Sequence, residues 1–402
     1  MSAFRFLTAG ESHGKGLVAV VEGVPAGLPL SADQIADDLA RRQGGYGRGR
    51  RQQIEQDRAE IVSGVRHGLT IGSPIALTMV NRDHENANWR VRMAVEPVDQ
   101  EVERVTLLRP GHADLAGTQK YGFDDVRPVL ERSSARETAA RVAIGAIARA
   151  LLAELGVSVR SHTLSVGDVR AHVPDRIDWE AVEASPVRVA DPGAEAAMIA
   201  AIDRAKEALD TVGGIFEVRA TGVPMGLGSH VHWDRRVDGR LAQAIMSINA
   251  VKAVEVGEGV AGAALPGSQV QDVILPAAAW ERRPWERATN RAGGLEGGMT
   301  NGEEVVVRGY LKPISTVPRR MPTADLLTGE ETTSFYERSD ACVVPAAGVI
   351  GEAMVSIVLA DAALEKFGGD HIDEFRRNCE AFAKTVGPRA ARERSRPGGG
   401  GS

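Results

Sequence analysis

Helical and strand-like apolar patterns alternate along the whole 402-residue chain, and no long Pro/Ser-rich linker separates them. This uninterrupted mixture predicts one α/β domain over residues 1–388 rather than several domains joined by linkers. The remaining residues, 389–402, run from an Arg-rich stretch into consecutive glycines and cannot bury a core. We expect them to form a disordered tail, whose composition is also that of an added linker.

Capping residues mark the starts of two predicted helices. The first begins at Ser31, where Gln34 three residues later completes a capping box. The second begins at Ser134, with Glu137 as its capping partner, and apolar residues then recur along it with helical spacing. Further segments have helical or strand-like patterns, namely helices at 193–209, 238–253 and 346–367, and strands at 215–220 and 304–309.

The charge balance limits the partners of this chain. It carries 48 Lys+Arg and 54 Asp+Glu, a formal net charge of -6, so its surface as a whole is not suited to nucleic acid or an anionic membrane. Aromatic residues make up only 4% of the chain, too few for the stacking platforms that bind single-stranded RNA. Any site for an anion must therefore be a local cluster of basic groups.

The cysteine content and the N-terminal sequence predict the cellular compartment of the protein. The two cysteines, Cys342 and Cys379, are too few for a disulfide framework, and no Cys/His cluster has the spacing of a metal site, so we expect no metal. The N-terminus lacks the apolar run of a signal peptide, and no stretch of about 18 uncharged apolar residues follows. We expect a cytoplasmic protein without a membrane segment.

The most basic segment is the arginine loop, defined here as Arg41–Arg51. It contains five arginines in eleven residues, interleaved with glycines. A guanidinium grips phosphate or carboxylate with a planar fork of donors, and glycine lets backbone N–H groups approach as well, so the loop suits a small, multiply anionic ligand. A solvated basic loop, or an RNA-binding segment, is the alternative. The Gly-Lys-Ser/Thr ending of a P-loop is absent.

Two glycine-flanked turns each present a histidine. Ser12 and His13 lie in Gly10–Gly14, after a short strand-like run, and His112 lies in Arg109–Asp114. Imidazole exchanges protons near neutral pH, and flanking glycines leave it open to a ligand, so both are candidates for acid or base catalysis. An ordinary surface or hydrogen-bonded histidine is the alternative for each.

The predicted helix start at Ser134 is a second candidate anion site. Ser133 and Ser134 are suited simply to cap the helix. However, Arg132 and Arg136 stand beside them, where free N–H groups and the helix dipole already favour an anion.

One short segment occurs twice. Glu131–Ala135 recurs as Glu337–Ala341, and each copy precedes an Ala-rich helix. We interpret this as a sign of two related halves whose equivalent loops face one ligand site, with a chance match as the alternative. The glycine-rich run Asn290–Gly302 suggests backbone that passes close to a flat ligand, with a plain turn-rich loop as the alternative. Lys312–Thr316 then offers a cation and two hydroxyls on a strand end stiffened by proline.

Taken in order, these segments closely resemble the chorismate synthase family over roughly residues 3 to 385. The blocks that carry the resemblance are Gly10–Gly14, the arginine loop, Arg109–Asp114, Lys120–Gly122, Arg132–Thr138, Asn290–Gly302, Lys312–Thr316 and 338–340. The resemblance implies anti-1,4-elimination of phosphate from 5-enolpyruvylshikimate 3-phosphate to give chorismate, with reduced FMN as cofactor. It also implies an α/β (α+β) sandwich of two antiparallel sheets with helices packed between and around them, assembled as a homotetramer.

The resemblance also assigns roles to residues. It implies that His13 protonates the departing phosphate and that His112 lies beside the reduced flavin and stabilises its negative charge. It also implies that Asp340, with Ser12 and Ser134 relaying or positioning, helps the flavin N5 take up the proton lost from the substrate. The positions it gives to FMN are Arg132, Ser133, Ser134, Asn249, Ala250, Gly297, Lys312, Pro313, Ile314, Ser315, Thr316 and Arg338.

The arginines fit either of two anions in this family. Arg42, Arg48 and Arg136 suit the phosphate and carboxylates of the substrate, and the first two are also positions assigned to NADP. We favour the substrate, because no GxGxxG unit with a following acidic residue indicates a dinucleotide site. No flavin-reductase domain is recognisable, so we expect an external flavin reductase to supply reduced FMN, with NADPH only as an indirect reductant.

Two other functions remain open from the residues alone. One is a phosphate-ester lyase or transferase that acts on a small anionic substrate without a flavin. The other is an RNA-binding module built on the arginine loop, against which the net charge and the low aromatic content weigh.

Overall fold

The computed structural model describes residues 3–49, 56–276, 285–337 and 339–387, and the statements below concern these residues. They form a mixed helix and strand fold, as the alternating patterns predict. Arg50 and Arg51 of the arginine loop, Arg338 and the predicted tail 389–402 lie outside the described residues.

Two antiparallel sheets contain the longer strands. The first has the order β1-β2-β6-β3, with β1 Arg5–Gly10, β2 Gly16–Glu22, β3 Glu60–Ser63 and β6 Ile75–Val80. The second has the order β10-β15-β9-β7-β8, with β7 Ser158–Val166, β8 Val169–Arg170, β9 Gly214–Thr221, β10 Val251–Val256 and β15 Val305–Leu311. Short pairs complete the described strands: β4 Val65–Arg66 with β5 Leu69–Thr70, β11 Ile274–Pro276 with β12 Trp285–Arg287, β13 Leu295–Glu296 with β14 Met299–Thr300, and β16 Pro322–Ala324 with β17 Glu331–Thr333.

The described α-helices lie between and beside these strands in the sequence. They are α1 Ala32–Gln43, α2 Ala87–Arg92, α3 Asp114–Tyr121, α4 Arg127–Ser133, α5 Thr138–Ala153, α6 Trp179–Ala184, α7 Pro192–Glu207, α8 Val237–Met246, α9 Gly259–Gly262, α10 Gly267–Val270, α11 Val344–Phe367 and α12 Ile372–Ala383. Short 3₁₀ turns occur at Arg82–Glu85, Ala135–Glu137 and Trp233–Arg235.

The two predicted helix starts have different outcomes. At α1 the capping box of Ser31 and Gln34 is present, and Gly44 ends the helix. At the second site the Ser134 side chain instead accepts from the backbone N–H of Arg136, and α5 begins only after the 3₁₀ turn. The predicted capping partner, Glu137, accepts hydrogen bonds from Thr8 and Arg141 instead, so that capping box was wrong.

Two helices connect the sheets through one apolar core. Helix α5 contacts β2 of the first sheet, α11 contacts β7 and β9 of the second, and α5 and α11 pack against each other. Small residues allow this close approach, since a Cβ on Gly145 of α5 would lie 2.3 Å from the Cβ of Ala353 on α11. The N-terminal ends of both helices are thereby brought to one side of the core, where the candidate site lies.

Helix α11 is long and apolar enough, by length and composition, to span a membrane. Its apolar window has a mean hydropathy of 1.8 and is entirely buried inside the fold. Glu352, in its middle, is also buried and is paired with Arg41 and Arg188. This is the environment of a core helix in a folded domain.

Candidate active site

A cavity of about 470 Å³ lies where the N-terminal ends of α5 and α11 meet the arginine loop. A volume of this order suits a small-molecule site. A wider depression of about 680 Å³, lined by Arg160, Trp179 and Arg219 among others, contains none of the predicted site residues. The smaller cavity is therefore the candidate site.

Most residues predicted from the sequence line this cavity. They are Ser12, His13, Arg42, Arg48, His112, Ser133, Ser134, Arg136, Asn249, Ala250, Lys312, Ile314, Ser315, Thr316 and Asp340. These residues come from distant parts of the sequence and are gathered by the fold.

Three predicted cofactor residues do not line it. The Arg132 guanidinium faces β1, where it donates to the carbonyl oxygens of Gly10 and Thr8, both at 3.0 Å. Gly297 is exposed in the turn between β13 and β14, and Pro313 is exposed although its neighbours Lys312 and Ile314 face the cavity. A fourth, Arg338, lies outside the described residues.

Three arginines form a positive cluster at one end of the cavity. Arg42 is buried and donates to Thr138 Oγ1 at 3.0 Å and to the Ala135 carbonyl at 2.9 Å. Burial, together with the charges of Arg48 and Arg136, lowers the pKa of Arg42 to about 9. Such a cluster gains stability when an anion enters it.

Asp57 and Asn81 hold two members of this cluster in place. Arg136 Nη1 lies 2.5 Å from Asp57 Oδ1, and Arg136 Nε donates to Asn81 Oδ1 at 2.9 Å. The second Asp57 oxygen lies 3.5 Å from Arg42. One carboxylate thus faces two guanidinium groups, so the cluster keeps excess positive charge.

Asp340 joins the arginine loop to the N-terminal end of α11. Arg48 Nη1 lies 2.9 Å from Asp340 Oδ2, and the Gly49 N–H donates to Asp340 Oδ1 at 2.5 Å. The Ala341 N–H also donates to the Gly47 carbonyl at 2.8 Å. Asp340 therefore acts as a charged acceptor that closes the loop over the cavity.

His13 is buried between two carboxylates and an indole ring. Its Nδ1 lies 3.0 Å from both oxygens of Glu131, its Nε2 lies 3.7 Å from Asp83 Oδ2, and its ring stacks on Trp89 with centroids 3.7 Å apart. Burial acts to raise the pKa of Glu131, but the hydrogen bond and charge of His13, with Arg127, outweigh it and hold that pKa below its usual range.

His112 is held by a buried carboxylate in the Arg109–Asp114 turn. Its Nδ1 lies 2.5 Å from Asp114 Oδ1, and Arg109 Nε donates to Asp114 Oδ2 at 2.8 Å. Burial of Asp114 opposes ionisation, but the hydrogen bonds from His112 and Arg109 are stronger and lower its pKa to about 2. Arg109 Nη2 also lies 3.0 Å from His112 Nδ1, so the carboxylate and the guanidinium together hold the ring in place.

The two predicted relay serines are in contact. Ser134 Oγ lies 3.1 Å from Ser12 Oγ, within hydrogen-bond distance. Ser12 is buried, and its N–H donates to the Glu131 carbonyl at 3.0 Å. The pair therefore links the Gly10–Gly14 turn to the start of α5.

A second group of lining residues, called the Lys312 end below, combines hydroxyl, amide and ammonium groups. Lys312 Nζ donates to Ser315 Oγ at 3.0 Å, and Asn249 Nδ2 donates to the Ser133 carbonyl at 3.0 Å. Burial and the charge of Lys252 lower the pKa of Lys312. Apolar side chains form the adjoining wall: Ile248, Ala250, Ile314, Val343, Ala346, Ala347 and Ile350.

Ser133 Oγ and Arg48 Nε are buried polar atoms of the lining that have no hydrogen-bond partner within the described residues. Because nearly all buried polar groups in proteins are hydrogen-bonded, both atoms suit a polar ligand. The donor set and apolar wall at the Lys312 end therefore fit a flat cofactor with a phosphate tail, and the arginine end fits a smaller anion.

Residues from both copies of the repeated segment line the same cavity. Arg127 Nη1 contacts Glu131 Oε1 at 3.3 Å and Glu337 Oε1 at 3.0 Å, the first residues of the two copies. Ser134 and Asp340, at equivalent positions of the copies, both line the cavity.

Sequence patterns missed several residues that hold the site side chains in place. Asp83 and Trp89, which contact His13, lie in a stretch without any recognisable motif. Asp57, which pairs with Arg42 and Arg136, follows the arginine loop with no pattern of its own. Asp114 was detectable, because it follows His112 by two residues in the same turn. The sequence indicated Glu131 only as the first residue of the repeated segment and gave no sign of its contact with His13.

The chain is similar to known proteins of one family. The chorismate synthase family model matches residues 4–364. The chorismate synthase of Solibacter usitatus is 55% identical over 390 residues, covering 95% of this chain and 99% of that protein, and that of Streptomyces avermitilis is 52% identical over 393 residues, covering 95% and 98%. A crystal structure of chorismate synthase matches with a TM-score of 0.77 and 43% identity, covering 95% of this chain and 98% of that one. The chain therefore belongs to the chorismate synthase family, the lyases that lead to aromatic amino acids in the shikimate pathway.

Proposed function

We propose that the cavity binds 5-enolpyruvylshikimate 3-phosphate beside reduced FMN, and that the chain eliminates phosphate to give chorismate. The observation that carries the proposal is the convergence of His13, His112, Asp340 and three arginines on one cavity. The substrate has a phosphate and two carboxylates, so it requires this local positive charge in a protein of net charge -6.

The arginine end is suited to the substrate anions. Arg42, Arg48 and Arg136 supply guanidinium forks, and the N-terminal end of α5 adds a favourable dipole. NADP is a weaker candidate for the same arginines, because no dinucleotide-binding glycine motif accompanies them. NADPH then acts only as an indirect reductant, through an external flavin reductase.

The residues around the cavity can provide the two proton transfers of an elimination. His13 is placed to donate a proton to the leaving phosphate, which lowers the charge that develops on it. Asp340 is placed to accept a proton once a ligand takes over its contact with Arg48, and the contact between Ser12 and Ser134 supports a relay or positioning role. His112 lines the cavity and is held in place by Asp114 and Arg109, and we expect it to lie beside the cofactor.

The Lys312 end is suited to FMN. Lys312, Ser315, Thr316, Ser133 and Asn249 offer polar groups, and the apolar wall offers a surface for a ring system. When bound, reduced FMN supplies an electron-rich ring that assists departure of an allylic phosphate. The closed arginine loop helps to exclude water from the site.

We also propose that the chain has the architecture and the oligomeric state that its family implies. We expect a single domain over 1–388, in which the two sheets form a sandwich around α5 and α11. We also expect the chain to consist of two halves related by a pseudo-twofold axis, one containing α5 and the other α11. The outer face of the first sheet exposes Leu7, Val18 and Val80, which supports self-association into a homotetramer. We expect the enzyme to be cytoplasmic and to act without nucleic acid, membrane or metal; the described residues contain no group of metal-binding side chains.

The test is anaerobic phosphate release and chorismate formation from 5-enolpyruvylshikimate 3-phosphate. It has three arms: reduced FMN, oxidised FMN and no flavin. We expect product only with reduced FMN. Product in all three arms would favour the flavin-independent lyase or transferase, and folded protein that gives none would contradict the proposal.

A further inference from the structure

Asn81 is a buried residue that lies directly after β6. It is 1% exposed and is not one of the residues that line the cavity. Its backbone N–H donates to the Lys15 carbonyl at 3.2 Å, which continues the pairing of β6 with β2 by one residue. The first sheet therefore fixes the backbone from which this side chain extends.

The Asn81 carboxamide joins two separate elements. Its Nδ2 donates to the carbonyl oxygens of Glu11 at 2.9 Å and Gly14 at 2.8 Å, and its Oδ1 accepts from Arg136 Nε at 2.9 Å. A carbonyl oxygen only accepts and a guanidinium only donates, so these partners determine the orientation of the amide. Aspartate has the same size but lacks the two donors, so it could not make the same set of bonds.

The two carbonyl groups enclose Ser12 and His13, the residues of the Gly10–Gly14 turn that line the cavity. The N–H groups of these two residues are held by Glu131 of α4. The first donates to its carbonyl oxygen at 3.0 Å and the second to its Oε2 at 2.7 Å. The turn is therefore fixed through its N–H groups by α4 and through its carbonyl groups by Asn81.

Arg136, the other partner of Asn81, belongs to the arginine end of the cavity. It is buried, it lines the cavity, and its Nη1 lies 2.5 Å from Asp57 Oδ1. Asn81 and Asp57 thus hold two different nitrogens of one guanidinium and determine its plane. A planar fork that is already aligned binds an anion at a lower entropic cost than a freely rotating one.

We infer that Asn81 is a positioning residue that keeps the Gly10–Gly14 turn and Arg136 at a fixed spacing, so that groups from both act on one bound anion. That this anion is the phosphate of the substrate rests on the proposed function. The link between the two elements does not. Loss of Asn81 should therefore affect both elements at once, which a role in folding alone would not produce.

Double-mutant cycles measure this link. Asn81→Ala should lower kcat about 10–100-fold and raise KM about 10-fold, because both elements lose their alignment. In a His13→Ala background the further loss of kcat should shrink to less than about threefold, since the group that Asn81 positions is already gone. In an Arg136→Gln background the further rise in KM should shrink in the same way.

Thr70→Val is the matched control for lost buried hydrogen bonds. Thr70 is buried outside the cavity, where its Oγ1 donates to the Pro25 carbonyl at 2.6 Å and accepts from the Leu28 N–H at 2.9 Å. Urea unfolding should show a loss of stability in both Thr70→Val and Asn81→Ala. Only Asn81→Ala should change kcat and KM.

Inorganic phosphate gives a readout that does not need turnover. A ligand that binds only the folded chain raises Tm as its concentration increases. Asn81→Ala should need about 10-fold more phosphate than the unmodified chain for the same rise, because a misaligned Arg136 binds the anion less well. Thr70→Val should need the same concentration as the unmodified chain, and in an Arg136→Gln background Asn81→Ala should have no further effect.

Three results would overturn the inference. They are equal losses from Asn81→Ala in every background, an unchanged phosphate dependence in Asn81→Ala, and an unmodified chain that phosphate does not stabilise. If the unmodified chain makes no chorismate, the proposed function fails while the phosphate series still tests Asn81. If Asn81→Ala does not fold by circular dichroism, Asn81→Asp replaces it. This variant keeps an oxygen for Arg136 but loses both donors to the turn, so its loss of kcat should again shrink in the His13→Ala background.

Discussion

Arg41 and Arg42 are consecutive in the last turn of α1, yet their guanidinium groups enter different parts of the protein. Arg42 reaches the cavity and bonds to Thr138 and the Ala135 carbonyl. Arg41 instead contacts Glu352 of α11 at 2.7 Å and Glu183 of α6 at 2.6 Å. A helix turn thus contributes one arginine to the site and one to the core, although both belong to the same basic run.

We therefore expect replacement of Arg42 to weaken substrate binding and replacement of Arg41 to lower the stability of the fold. Arg42→Gln removes charge-assisted hydrogen bonds to a substrate anion, each worth about 1.5–3 kcal/mol, so KM should rise about 10–100-fold. Arg41→Gln should leave KM unchanged but lower the free energy of unfolding by about 1–3 kcal/mol, because Glu352 keeps only its other partners, among them Arg188. Steady-state kinetics and urea unfolding of both variants check this; a KM change of equal size in both would contradict it.

Asp340→Asn should impair catalysis without unfolding the protein. Asparagine keeps an oxygen for the Gly49 N–H but has no charge for Arg48 and cannot take up the substrate proton. We expect kcat to fall about 10²–10⁴-fold, the range for loss of a proton-transfer group. Asp203→Asn is the control, since Asp203 accepts a hydrogen bond from Tyr46 of the same loop but does not line the cavity. Equal kcat in the two variants would exclude Asp340 from proton transfer.

Acid should destabilise the fold through a few carboxylates that are paired with arginine or histidine. Asp114, Glu183 and Glu217 each have a pKa lowered to about 2, because hydrogen bonds and charges from arginine or histidine outweigh burial. In the unfolded chain such groups titrate near about 4, so between about pH 5 and pH 2 the unfolded state binds more protons and the free energy of unfolding falls. Urea unfolding at pH 7, 5, 4 and 3 measures this. Asp114→Asn should be less stable at pH 7 and show a shallower fall; a stability that stays constant down to pH 3 would contradict the account.

The space around two helix glycines predicts opposite effects on stability when each is changed to alanine. A Cβ at Gly145 would lie 2.3 Å from Ala353 Cβ and 2.5 Å from its Cα, so Gly145→Ala should cost about 1–3 kcal/mol or more through overpacking. A Cβ at Gly239 in α8 would meet nothing within 4 Å, so Gly239→Ala should gain up to about 1 kcal/mol from lower backbone entropy. Thermal unfolding of both variants tests the packing, and two changes of the same sign would disagree with it.

Local patterns predicted the fold well where the stabilising contacts are local. The α1 capping box of Ser31 and Gln34 involves residues three apart, and it forms as expected. The start of α5 was misplaced because its contacts are distant: Ser134 contacts Ser12, and Glu137 is taken up by Thr8. Periodicity also predicted one buried stripe on this helix, whereas most of its faces are buried because sheets and helices surround it.

The site was predictable mainly where residues lie in a recognisable block. His13, His112 and Asp340 come from such blocks and line the cavity. Arg132 comes from a block too, but its guanidinium is drawn to carbonyl oxygens of β1, which no sequence pattern reveals. Trp89 could not be found, because a single aromatic residue outside any motif gives no sign of which ring it covers.

The most direct test of the cavity as the active site is anaerobic phosphate release with reduced FMN by three histidine variants. His13→Ala and His112→Ala should each lower kcat about 10²–10⁴-fold, because each removes an imidazole from the lining. His232→Ala is the control, since His232 is exposed beside Asp234 and outside the cavity. Loss in the first two with an unchanged third is the predicted result, and near-normal rates for His13→Ala and His112→Ala would contradict the assignment of this cavity.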